Sequence, residues 1–332
     1  MHHPRVHRIL SRTLDALLLL WLVTSLTFVL VHLAPGDAAS LLVSPTATAQ
    51  ELAQRRAELG LDGSLVTQYG RWIASVLQGE LGNSLALSRP VTAVIADALP
   101  LSLALGGVSL TLSFLVGVPI GAWQSAREGT RADTVCTVLT TTLYAAPSFW
   151  LALALIAIAT TGAAALNAPE WMRLPAFGVR DPAALGTGFD AVRDVVRHAA
   201  LPLLVLTIPG AAGVARYARQ TMIEARRAPH VATAHARGIP ERRVSSRYVL
   251  RNAWPPLLVL LGLMLPGIVA GSVFVEQVFA WPGLGRAMMT SIASRDYPVV
   301  LALTMVYSAT VIGANLLADV ALLRVDPRRR AE

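Results

Sequence analysis

The chain has 332 residues, is 54% hydrophobic and only 14% charged, and has a mean hydropathy of +0.56. That is too apolar for a soluble domain, whose average composition carries about 25% charge, so the chain reads as an integral membrane protein. Its net charge of +8 comes from 28 arginines against 20 acids, with no lysine at all. That absence removes the phosphate-binding lysine of a P-loop and the amine of a Schiff-base enzyme.

Six apolar runs are long enough to cross ~30 Å of hydrocarbon, which takes about 20 helical residues. They fall at 16–34, 99–123, 135–161, 199–215, 253–275 and 299–318. The first follows a basic flank but exceeds the usual apolar stretch of a signal peptide, so it reads as an uncleaved span. The stretch between the first two runs, 35–98, is too long for a structureless loop. Helix formers at 47–60 end on a glycine, and 65–77 places Val66, Tyr69, Ile73, Val76 and Leu77 at helical spacing. Pro90 suits the first turn of a helix leading into the second run.

The third run is the polar one, with Thr137, Thr140, Thr141, Thr142, Tyr144 and Ser148 close together. Threonine hydroxyls on a helix commonly bond back to the carbonyl one turn earlier. The other reading makes Thr137, Thr141, Tyr144 and Ser148 the lining of a translocation path. The fourth run, 199–215, is the shortest of the six and holds Pro202 and Pro209. Pro175, Pro182, Gly186 and Gly188 point to irregular backbone before it. After the fifth run, Pro282-Gly283 fits the centre of a type II turn, and Trp281 beside it suits a membrane interface. Span prolines with Gly106, Gly107, Gly117, Gly121, Gly262, Gly267 and Gly271 suit kinked, closely packed helices.

Both termini belong in the cytoplasm by the basic-residue bias of the short loops. Segments 1–12, 124–134, 216–252 and 324–332 hold nearly two thirds of the arginines, although together they are much shorter than the complementary set 35–98, 162–198 and 276–298. The basic charge is thus largely topological, and nucleic acid is not an expected partner. No run carries a charged residue near its centre; Asp15, His32, His198 and Asp319 lie at ends. This speaks against an ion-coupled transporter, which needs intramembrane acids or bases. Cys136 is the sole cysteine, so no intrachain disulfide exists. The seven histidines lack HExxH spacing, and no GxSxG occurs; catalytic, metal and cofactor sites are expected to be none.

The segment 216–252 carries nine arginines against two acids. Its first pattern begins at Pro229, suited to a first helical turn, and runs through His230, Val231, Ala232, Thr233, Ala234 and Arg237 to Gly238, a helix stop. A short, lightly charged helix of this kind can slot into a groove on a partner. The second pattern starts near Pro240 and puts Arg243, Arg247 and Arg251 on one stripe with Val244 and Tyr248 adjacent, which suits lipid headgroups.

The segment VATAHARGIPERRVSSRYVLRNAWPP, 231–256, resembles the EAA loop of ABC importer permeases that handle dipeptides, oligopeptides and nickel. LAPGDAA (33–39), LGLDGSLVTQYGRW (59–72), GELGNS (79–84), APSFW (146–150), VEQVFAWPGLG (275–285), RDYPVV (295–300) and NLLADVALLRVDPR (315–328) agree in order. The resemblance implies an all-α polytopic protein of six transmembrane helices, with the type I ABC importer permease fold, in the bacterial inner membrane. It implies a second homologous permease, two cytosolic ATPases carrying the ATP and Mg, and an external binding protein. Pro229 and His230 stand where the group usually has an acidic and an aromatic residue, and Thr233 also departs from the pattern. Arg242 and Arg243 would anchor the docking loop. The implied organisation is 1–34, cytoplasmic N-terminus and first span; 35–98, external helical region; 99–323, five-helix core with coupling loop 216–252; and 324–332, cytoplasmic tail. Peptide import is expected; nickel, glutathione or oligosaccharide import, or an ion-coupled transporter, are the alternatives.

Overall fold

The computed structural model describes residues 4–33, 48–58, 62–169, 173–181, 187–270 and 273–325. The LAPGDAA motif after Leu33, Gly60, Pro182, Gly186, Gly271, His2, His3 and the tail beyond Val325 lie outside the described residues, as does the side chain of Asp319. Among the described residues the structure is helical, without a strand. In chain order the helices are α1 (Pro4–Leu33), α2 (Ala49–Glu58), α3 (Leu65–Leu77), α4 (Val91–Ser125), α5 (Arg131–Ala145), α6 (Ser148–Ala157), α7 (Ala163–Ala165) and α8 (Phe189–Arg226). They continue with α9 (Pro229–Ala236), α10 (Glu241–Arg243), α11 (Leu250–Met264), α12 (Gly267–Ala270), α13 (Val273–Val278), α14 (Leu284–Ala293) and α15 (Tyr297–Val325). Wider π turns join α6 to α7 at Ile158–Gly162 and α10 to α11 at Val244–Val249.

Five stretches are long and apolar enough to cross a membrane: Leu14–Leu33, Val91–Ser125, Ser148–Ala165, Phe189–Arg226 and Tyr297–Ala318. A sixth passes as a bent pair, Glu241–Met264 with Gly267–Val278 at 53°. Six spans in an all-α polytopic chain are therefore accounted for, but three are built differently from the apolar runs. The run 135–161 is broken at Ala146 and Pro147, both extended with ψ of 127° and 131°. A residue before proline is pushed out of the helical region, so α5 stops and α6 starts afresh. The short fourth run becomes part of one helix of 38 residues that continues through Pro202 and Pro209, because interior prolines survive where neighbours satisfy the freed carbonyls. The fifth breaks between Met264 and Gly267, beside Pro266.

Two compact units are present. The first comprises residues 1–101 and 283–312. Here α3 matches its predicted bounds, but its half-buried face is Gln68, Tyr69, Trp72, Ile73, Ser75 and Val76. Val66 and Leu77 are 80% and 82% exposed and fall off that face. Tyr69 and Trp72 meet the buried Phe28 of α1 at ring distances of 5.2 and 5.6 Å. Asp296, almost fully buried, accepts hydrogen bonds from the Ser84 hydroxyl at 2.5 Å and from the N–H groups of Leu85 and Ala86 at 3.0 and 3.2 Å.

The second unit comprises residues 102–282 and 313–332. One face of α4 reads Ser102, Gly106, Ser109, Ser113, Gly117 and Gly121, and it is this face that the rest of the unit approaches. A Cβ on Gly106 would come 2.0 Å from the Ile268 carbonyl oxygen, and one on Gly121 would come 2.5 Å from that of Ala215. Close approach of backbones is what small residues permit. On the same face the Ser102 hydroxyl donates to Glu276 at 2.7 Å, and both side chains are fully buried. The fifth apolar run ends at Val275 and so leaves Glu276 outside; the structure carries the helix on to Val278. Glu276 is thus a buried carboxyl two residues from the end of a span, not near its centre. His198 is also buried rather than at a headgroup, its Nδ1 2.9 Å from the Asp194 carbonyl oxygen.

The expected type II turn does not form. Gly283 has φ −95°, whereas a type II turn needs a positive φ there. The left-handed residue is instead Ala280, φ 51°, in a helix-ending motif where the Trp281 N–H donates to the Glu276 carbonyl at 2.8 Å. Trp281 is 3% exposed, a core residue and not an interface anchor.

Candidate functional site: the loop between α8 and α11

The segment after α8 folds as the spacing of its prolines and Gly238 dictates. Pro229 occupies the first turn of α9, where its missing N–H costs nothing. The helix stops at Gly238, whose φ is 69°. Glycine enters that left-handed region at little cost. The Ile239 N–H donates back to the Ala234 carbonyl at 3.2 Å and the Gly238 N–H to the His235 carbonyl at 2.9 Å. These bonds close the helix end.

One face of α9 is buried and the other is exposed. Val231 and Ala234 pack against Ala218 and Met222 of α8 and against Val244, Val249, Ala253 and Leu257. Pro229, His230, Ala232, Thr233, Arg237 and Gly238 are exposed, as are His235 and Ala236. Arg242, Arg243, Arg247 and Arg251 are exposed on the following segment. Its buried positions step by five from Val244 to Val249, and then by four to Ala253 and Leu257. An α-helical stripe would have used Tyr248 in second place. The π turn at Val244–Val249 inserts one residue and shifts the register.

A polar frame fixes α9. Arg226, at the end of α8, donates to Glu241 at 2.6 Å and to the Ser245 hydroxyl at 2.7 Å. His235 reaches the other Glu241 oxygen at 2.9 Å, and His230 Nε2 lies 2.8 Å from the Asn252 amide nitrogen. Each histidine of α9 is thus tied to the segment that follows it. The Arg226 guanidinium, then the His235 contact, hold the Glu241 carboxyl at a pKa of about 2.

A second set of contacts ties this loop to the one between α4 and α5. Arg219 donates in bidentate fashion to Asp133, Nε to Oδ1 at 2.7 Å and Nη2 to Oδ2 at 2.6 Å. Asp133 is 3% exposed and also accepts the Gly129 N–H at 3.1 Å. The Arg219 hydrogen bond, opposed by burial, keeps its carboxyl below the ordinary carboxylate range; a hydrogen bond to the charged form favours that form. Arg227 donates to Glu128 at 2.8 Å. Loops 124–134 and 216–252 therefore lie on the same face of any membrane the chain crosses. Neither partner set is legible in the sequence, because the Asp133 to Arg219 pair spans 86 residues.

Of the candidate path residues, Thr137, Thr141 and Tyr144 share one face of α5 by their spacing, and Ser148 opens α6. Thr137 accepts from the buried Gln124 amide at 3.1 Å. Tyr144 lies under the Arg216 guanidinium at 5.2 Å. Thr141 is exposed, and Ser148 sits half-buried beyond the break at Pro147. Of the neighbouring threonines, Thr140 bonds back to the Cys136 carbonyl at 2.9 Å. An apolar groove of about 530 Å³ opens beside α5, between Leu139, Leu143, Trp123 and Ala211, with Thr140 in its lining.

Comparison with known proteins agrees along nearly the whole chain. Residues 117–331 match the family described as binding-protein-dependent transport system inner membrane component, and residues 6–106 match its N-terminal counterpart. The oligopeptide transport system permease protein AppB of Bacillus subtilis is 35% identical over 321 residues, covering 96% of this chain and 98% of that one. The glutathione transport system permease protein GsiC of Salmonella paratyphi A is 34% identical, covering 97% and 98%. The probable D,D-dipeptide transport system permease protein DdpB of Escherichia coli is 32% identical, covering 91% of each. A crystal structure of an amino acid ABC transporter with histidines shares the fold at 16% identity, with a TM-score of 0.51 over 70% of this chain and 94% of that one.

Proposed function

Because the chain belongs to the family of binding-protein-dependent transport system inner membrane components, and is thus an inner-membrane permease subunit of an ABC importer, we propose that it forms half of a translocation pathway for di- or oligopeptides. The names of its relatives support that class: oligopeptide, D,D-dipeptide and glutathione, itself a small peptide. The other half comes from a second, homologous permease. An external binding protein delivers the solute. Two cytosolic ATPases hold ATP and Mg and do the hydrolysis, since this chain has no lysine to build a P-loop.

The observation that carries the reading is the two-faced helix α9. Its buried face, Val231 and Ala234, is locked onto α8, while Pro229, His230, Ala232, Thr233 and Arg237 are exposed and carry little charge. A short helix on a rigid frame offers a knob for a groove on a partner. ATPase closure would push on this face and rock the spans between inward-open and outward-open states. The arginine bias supports a cytoplasmic place for this loop, loop 124–134 and both termini, with Arg242 and Arg243 at the rim of the docking surface. Thr137, Thr141, Tyr144 and Ser148 remain candidates for path contacts.

The test is uptake of a labelled peptide into vesicles reconstituted with the permease pair, the ATPases and the binding protein. ATP inside the ATPase-bearing compartment should drive it. Uptake without the ATPases would refute the proposal.

A further inference from the structure

Two separate ion pairs, Arg219 to Asp133 and Arg227 to Glu128, join the loop 124–134 to the segment 216–252. Ala218 and Met222 of α8 carry the buried face of α9. On the intervening turn, Arg219 grips Asp133 of α5 through two parallel hydrogen bonds of 2.7 and 2.6 Å. A bidentate pair of this kind fixes orientation as well as distance. Asp133 is in turn locked to its own loop, accepting the Gly129 N–H at 3.1 Å while its N–H donates to the Thr130 hydroxyl at 3.3 Å. Two turns after Arg219, Arg227 holds Glu128 of the same loop. Between them Arg226 holds Glu241, which His235 of α9 also contacts.

Helix α4 leaves no slack at this point. A Cβ on Gly121 would lie 2.8 Å from the Arg219 backbone nitrogen, so α4 and α8 touch through their backbones beside the ion pair. The fully buried Gln124 then reaches Thr137 of α5. Three helices therefore meet around one carboxylate, close to the turn that bears α9.

We propose that Asp133 is a positioning residue of the coupling device: through Arg219 it makes α5 move with α9 as one body, so that a push on the docking helix reaches Thr137, Thr141 and Tyr144. The proposal rests on the ATP-driven reading above. Without the pair, α9 would still follow the ATPase but α5 would not follow α9.

The experiment uses the assembled importer in lipid nanodiscs, with Cys136→Ser as background and spin labels on Ala236→Cys of α9 and Thr142→Cys of α5. The distance between labels is measured without nucleotide and with ATP plus vanadate, alongside the ATPase rate. The unaltered pair should give one distance in both states. Asp133→Asn should retain the ATPases and turnover but give a distance that changes with nucleotide, and the reversed pair Asp133→Arg with Arg219→Asp should restore a constant one. A constant distance in Asp133→Asn overturns the proposal. Should that variant fail to assemble, the reversed pair decides: a constant distance supports the lock, and a changing one overturns it. Failure of the unaltered chain to retain ATPases overturns the importer reading itself, and this inference with it.

Discussion

Ser84 and Asp296, 212 residues apart, share a buried hydrogen bond of 2.5 Å. They belong to two motifs that stand far apart in the chain, GELGNS at 79–84 and RDYPVV at 295–300. The carboxylate also takes the N–H groups of Leu85 and Ala86. Removing it strands one hydroxyl and two amides, and a buried polar group left unsatisfied costs about 1 to 3 kcal/mol. Asp296→Ala should therefore lower the melting temperature of the purified chain clearly, and Asp296→Asn less, since an amide oxygen still accepts. Equal melting of Asp296→Ala and the unaltered chain would contradict this.

The end of α9 gives a backbone prediction. Gly238 has φ 69° with open space around it, so an added side chain meets no atom and the cost is conformational alone. Gly238→Ala should destabilise the loop by roughly 1 to 2 kcal/mol, and Gly238→Asn by less, because asparagine tolerates the left-handed region. Gly238→Pro cannot adopt this φ, and should abolish uptake while leaving membrane insertion intact. Normal uptake by Gly238→Pro would remove the loop from the mechanism.

The two faces of α9 separate stability from docking. Val231→Ala opens a cavity in the cluster that holds Met222 and Val249. It should cost on the order of 2 kcal/mol, read as faster amide exchange across residues 229–249. Thr233→Arg, on the exposed face, should leave exchange unchanged and reduce the amount of ATPase that co-purifies. The reverse pattern would mean the faces have been assigned the wrong way round.

The pH response of the loop follows from Glu241. Its folded pKa, about 2, lies below the ordinary value of 4.5, mainly through Arg226 and then His235. A depressed carboxylate contributes stability above its unfolded pKa and loses it as pH falls towards the folded one. Exchange protection of the loop should thus hold at neutral pH and decline between about 4.5 and 2. Glu241→Gln should lack that protection already at neutral pH and show no further decline in the acid window; an unchanged decline would assign it to another group.

Much of this architecture is legible in the chain because it is local. The first and last spans, α3, α9 and its stop at Gly238 follow from hydropathy, period and single residues. What escapes is of three kinds. Hydropathy continues across Ala146-Pro147, so an apolar run conceals a break made by backbone sterics. It also stops short where charges enter: Asp190, Arg193, Asp194 and Arg197 hide the first turns of α8. The same sensitivity cut the fifth run at Val275, leaving out the buried Glu276. The π turn leaves one trace, two valines five positions apart at 244 and 249, which an assumed α-helical period reads past. The partners of Asp133, Asp296 and Glu276 are tertiary, and no local signal encodes them.

In the proposed mechanism energy enters through the exposed face of α9. The most direct measurement is peptide uptake into sealed vesicles carrying the complete importer, with a protonophore present and with or without an ATPase subunit able to hydrolyse ATP. Uptake that survives the protonophore and vanishes when hydrolysis is disabled is the predicted result. Uptake that collapses with the protonophore yet persists without hydrolysis would contradict it, and would point to the buried Glu276 in place of the coupling helix.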